Sequence, residues 1–148
     1  MPDVFISYRR TDAGYVRSLQ QSLSKHFEAD RFFRDIDNIE AGVDFPQALD
    51  RELKQCKAML VVIGPAWASM TDKPGGGPRI LQAEDFVRQE VAAGLARKEV
   101  RVIPVLVGGA VLPQPAELPP ELKDLTRRNA FELSDSRWEF VAQKLANT

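Results

Sequence analysis

Apolar positions follow two rhythms along this chain. In the segments DVFISY (3–8), KAMLVVIG (57–64) and VRVIPVLVGG (100–109) they run almost unbroken. Short runs rich in Val and Ile read as strands, and an unbroken run implies burial on both faces, as in a parallel sheet. RFFRD (31–35) and NAFEL (129–133) read as two shorter strands. Between these segments the spacing changes to that of helices. Val16, Leu19, Leu23 and Phe27 make one apolar face after a capping Asp12; Phe45, Leu49 and Leu53 make another; Trp138, Val141 and Leu145 make a third after a capping Ser134.

The fourth helical stretch, EDFVRQEVAAGLARK (84–98), carries one residue out of pattern. Its stripe is Phe86, Val87, Val91, Gly94 and Leu95, the face expected to be buried. At roughly 100° per residue Glu90 falls inside that stripe, between Phe86 and Gly94, while Asp85, Arg88 and Gln89 fall well away from it. A long loop, 65–83, holds Trp67 and the run Lys73-Pro74-Gly75-Gly76-Gly77-Pro78, and a proline-rich connection covers 112–120.

Strand and helix alternate about five times with no internal repeat and no dividing linker. The expected fold is therefore α/β: a three-layer sandwich with a central five-stranded parallel sheet, formed by residues 1–148 as a single domain. In such sheets ligands bind outside the carboxyl ends of the strands. That edge collects Ser7, Tyr8, Arg9 and Arg10 after the first strand, and Phe33, Arg34 and Asp35 around the second. Gly64, Pro65 and Trp67 follow the third, and the loop beyond them feeds the helix of Glu90. Aromatic rings suit stacking on a planar base, arginines suit pyrophosphate, and a lone carboxylate suits a developing positive charge. Each has a plainer reading: Trp67 and Phe86 as core residues, Arg9 and Arg10 as a solvated pair, Glu90 as the partner of Arg97 or of a backbone donor.

Composition narrows the classes. The 148 residues are 44% hydrophobic and 28% charged, with a net charge of −1. This is the balance of a folded globule, and it offers no general attraction to nucleic acid or to an anionic membrane. Cys56 is the only cysteine, which excludes an internal disulfide and the usual cysteine zinc patterns and suits a reducing cytoplasm. His26, the only histidine, sits in LSKHFEAD, which reads as a helix end where a catalytic role is not expected. The opening MPDVFISYRR is too short and too soon charged for a signal peptide, and no apolar run is long enough to span a bilayer.

Taken in order, VFISYRRTDA, RDIDNIEAGVDF, AMLVVIGPAW, DFVRQEV and VIPVLV resemble the Toll/interleukin-1 receptor (TIR) domain, of the kind found in bacteria. The resemblance covers nearly the whole chain and implies a flavodoxin-like fold. Many members cleave NAD+ between nicotinamide and ribose, giving ADP-ribose, cyclic ADP-ribose or an isomer, with a glutamate in a pattern like W-x-x-x-E. The matching residue is Glu90, and Phe86 stands where tryptophan is frequent. The resemblance makes NAD+ a substrate rather than a cofactor, and no metal is expected. It casts Ile39, Glu40, Ala41, Gly42, Val43, Asp44 and Phe45 as a self-association loop, with Ala41-Gly42 where many relatives have proline before the glycine. The implied partners are other TIR domains, in a homo-oligomer or filament, and a sensor domain or separate effector outside this chain. Other TIR domains are non-catalytic scaffolds that act by homotypic association; most of those lack the glutamate.

Two further classes fail on sequence. A phosphoacceptor receiver needs an aspartate ending the third strand, where this chain has Gly64. A dinucleotide oxidoreductase needs G-x-G-x-x-G after the first strand, and none is present. Gly75–Gly77 reads as a flexible connector.

Overall fold

A computed structural model describes residues 4–23, 42, 44–71 and 76–132. Four parallel strands form its sheet in the order β1 (Val4–Ser7), β2 (Ala58–Ile63), β3 (Arg101–Leu106) and β4 (Phe131–Glu132). Val4 pairs with Ala58, Ala58 with Arg101, and Val105 with Phe131. The sheet thus has four strands among the described residues where the sequence suggests five; the expected second strand, 31–35, lies outside them, as does the closing helix after Ser134.

Side chains alternate across the sheet, and each face has its own core. Val4, Ile6, Leu60, Val62, Ile103 and Val105 pack against Val16 and Leu19 of α1 (Ala13–Leu23). Phe5, Met59, Val61, Ile63, Val102 and Leu106 pack on the other face against α2 (Phe45–Lys54) and α3 (Phe86–Ala96), through Leu49, Leu53, Val87 and Val91. Three layers follow. Gly94 lets α3 lie close to the sheet, since a Cβ there would stand 2.7 Å from Met59 Sδ. That packing explains the missing side chain one turn after Glu90.

Two connections differ from expectation. The described parts of the 65–83 connection, 65–71 and 76–83, are held against each other: Thr71 bridges Pro78, the Arg79 N–H donates to the Met70 carbonyl at 2.7 Å, and Trp67 and Ile80 are buried. The proline-rich connection continues into a 3-10 run, Pro120–Arg127, whose Leu122 and Leu125 cover the α3 side of the core. Proline at its start sets the backbone angle and gives up an N–H that has no helical partner there.

Candidate active site

The alternation that builds β1 also aims its last residues. Phe5 faces α3, so Ser7 does too, and Ser7 is fully buried. Its hydroxyl donates to Glu90 Oε1 at 2.8 Å. Glu90 lies in the second turn of α3, 2% exposed, with buried Val87, Val91 and Gly94 beside it. The carboxylate is turned into the protein, as the helical spacing requires. Arg97 is not its mate: that guanidinium pairs with Asp50 and Glu99 at the surface.

Arg9 is extended (φ −81°, ψ 144°), so it continues the alternation onto the same face. Its guanidinium is buried and reaches Asp85 with both terminal nitrogens, at 2.7 and 3.0 Å. The same side chain donates from Nε and Nη2 to the Trp67 carbonyl at 3.4 and 3.3 Å. Arg9 and Arg10 are therefore not a solvated pair; only Arg10 is exposed. Asp85 also departs from expectation. It is the N-cap of α3, its Oδ2 accepting the Arg88 N–H at 3.2 Å, and its side chain is only 7% exposed.

The aromatic residues separate. Trp67 is buried in the core, and its indole N–H has no hydrogen-bond partner among the described residues. As placed, its ring offers no face to a ligand. Phe86, expected in the buried stripe, is 51% exposed because it is the first residue of α3 and no earlier turn covers it. Its ring packs against Phe45, the first residue of α2, with centroids 4.7 Å apart and planes 49° apart. Tyr8 falls on the opposite face and packs with the α1-side core. Phe33, Arg34, Asp35, Ile39, Glu40, Ala41 and Val43 lie outside the described residues. Gly42 has φ +83°, in the left-handed region, and Asp44 is the N-cap residue of α2.

A second buried acid stands at the same sheet edge. Asp12 ends a 3-10 turn after Arg9, and its carboxylate accepts the Gly64 N–H. A Cβ on Gly64 would lie 2.6 Å from Asp12 Cγ, so a side chain there would displace the Asp12 carboxylate. Burial raises the Asp12 pKa above its ordinary value, against the opposing pull of the Gly64 amide and Arg9. Sequence reasoning gave Asp12 only a capping role. An open cleft of about 260 Å³ lies between the ends of β2 and β3, lined by Gly64, Pro65, Ser69, Ala110, Val111 and Glu117 among others. Glu90, Arg9, Trp67 and Phe86 are not among its walls.

What the site can do chemically follows from Glu90. A buried carboxylate that accepts the Ser7 hydroxyl can neutralise a cation formed beside it more strongly than in water. The family profile described as TIR domain matches residues 4–146. The chain belongs to the TIR domain family. It is 30% identical over 146 residues to the NAD(+) hydrolase SARM1 of Danio rerio, covering 97% of this chain and 19% of that protein. The TIR domain of the Toll-related receptor TRR-2 from Hydra magnipapillata superposes with a TM-score of 0.65 at 14% identity, over the whole of both chains. The TIR domains of the activated Roq1 resistosome give 0.54 at 19% identity, over 99% of this chain and 84% of that one. These two likenesses bear out the parallel-sheet α/β TIR fold. No helix of the described residues is long and apolar enough to cross a membrane.

Proposed function

We propose that this TIR domain is an NAD+ nucleosidase with Glu90 as its catalytic carboxylate. The observation that carries the reading is the burial of Glu90 among apolar residues at the ligand-binding edge, with one oxygen held by Ser7. Similarity to an NAD+ hydrolase supports it.

Nicotinamide leaves NAD+ as a neutral molecule, so no general acid has to protonate it. The ribose passes through an oxocarbenium-like state, the charge problem that glycosidases meet with carboxylates. Glu90 stabilises that charge, and water or the substrate's own adenine completes the reaction. The products are nicotinamide with ADP-ribose or a cyclic isomer. The exposed Phe86 ring, backed by Phe45, is the stacking surface for a planar ring of the substrate.

Burial also ties activity to assembly. At 2% exposure Glu90 meets substrate only after a neighbouring element moves, and self-association through residues 39–45 supplies that movement. The setting we infer is cytoplasmic, in prokaryotic immune signalling or defence, with a sensor domain or separate effector as partner and neither nucleic acid nor membrane as ligand. That Glu90 is not among the walls of the open cleft at the ends of β2 and β3 favours a second reading, a non-catalytic scaffold acting by TIR–TIR association. Chromatography of NAD+ incubated with concentrated wild-type protein and with Glu90→Gln decides between them. Loss of NAD+ with wild type alone is expected. Equal loss with both refutes the assignment, and no loss with either, once light scattering shows assembly, favours the scaffold.

A further inference from the structure

Arg9 would ordinarily be assigned to the substrate, since a guanidinium fork beside a dinucleotide site matches pyrophosphate. Here that fork is already occupied. Its two terminal nitrogens face the two Asp85 oxygens, Nε and Nη2 face the Trp67 carbonyl, and the side chain is 3% exposed. The carboxylate it grips also caps the helix that carries Glu90. The Trp67 carbonyl belongs to the turn leaving β2, where the Trp67 N–H donates to the Gly64 carbonyl at 3.1 Å. One side chain therefore joins three separate segments around Glu90. Ser7, two residues earlier and on the same face, reaches the Glu90 carboxylate itself.

We propose that Arg9 is a positioning residue: through the Asp85 cap it fixes the start of α3, and so the place of Glu90, and it does not bind substrate. This role rests on the reading of Glu90 as the catalytic group. Ser7 and Arg9 together hold α3 at two points from the end of β1, one at the carboxylate and one at the helix start. Small displacements of a reacting group are costly, so loosening the second point slows the chemical step without altering affinity.

Two conservative variants test this. Arg9→Lys keeps the charge and loses the fork; Asp85→Asn keeps a good N-cap and loses the charge that Arg9 grips. Both are expected to lower kcat by about 10- to 100-fold with KM unchanged, and the double variant to be no worse than either single one. Independently of activity, both are expected to speed hydrogen exchange in 86–92 by roughly tenfold or more. The opposite pattern overturns the proposal: KM raised by Arg9→Lys with kcat kept, and Asp85→Asn silent. If wild type leaves NAD+ intact, the functional reading falls, and exchange alone decides: unchanged exchange in both variants overturns the positioning role.

Discussion

The two ends of α3 carry ion pairs of opposite character. At its amino end Arg9 and Asp85, 76 residues apart in sequence, meet bidentate with side chains 3% and 7% exposed. At its carboxyl end Arg97 meets Asp50 and Glu99, both exposed, and Asp50 also faces Lys54 at 3.6 Å. Solvent screens the second group far more than the first, so the amino-end pair constrains geometry more firmly than the carboxyl-end pairs do. The candidate site lies beside the buried pair. A buried pair is weak ground for arguing net stability, because desolvation offsets attraction. What it supplies is placement, and loss of one partner is severe.

The largest effect on stability is therefore expected from Arg9→Ala. It leaves the Asp85 carboxylate buried without its guanidinium and is expected to cost about 3–5 kcal/mol in urea unfolding. A cost below about 1 kcal/mol, the range of an exposed pair, removes the distinction between the two ends. Arg97→Ala is expected to cost less than about 1 kcal/mol and to approach zero at roughly 1 M salt. A large, salt-independent cost there contradicts the picture of a solvated pair.

Asp12→Asn gives a smaller effect that depends on pH. The folded-state pKa of Asp12 is raised, so the folded protein binds this proton more tightly than the unfolded chain does. The resulting stability is fully present below the ordinary carboxylate value of 3.8 and is lost as pH rises through the higher folded value. Asparagine can still accept the Gly64 N–H and carries no charge to desolvate. Stability of Asp12→Asn relative to wild type is thus expected to grow as pH rises from 3.8 toward neutrality. Parallel unfolding curves at all pH values would show that burial of this carboxyl has no linked cost.

Most of the sheet was legible because β1, β2 and β3, buried on both faces, are continuous apolar runs, and Glu90 because helical spacing exposes a misplaced charge. The start of α3 was less legible. A stripe drawn at roughly 100° per residue continues past the point where Asp85 ends the helix, which put Phe86 on the buried face and Asp85 well away from it. The available signal was an aspartate three residues before Arg88, in the position of a cap that accepts a backbone N–H. The pairing of Arg9 with Asp85 has no signal in a single sequence, since nothing local links positions so far apart. Trp67 was ambiguous for another reason: burial and stacking demand the same residue type, and only packing decides between them.

The proposed chemistry requires Glu90 to neutralise a ribose cation as nicotinamide departs. The most direct measurement is the initial rate of nicotinamide release from NAD+ by wild type and Glu90→Gln, at matched high concentration and with matched melting curves. Release is expected to rise more steeply than linearly with wild-type concentration, and its rate to be at least about 100-fold lower in Glu90→Gln. Equal rates in the two proteins would contradict that chemistry.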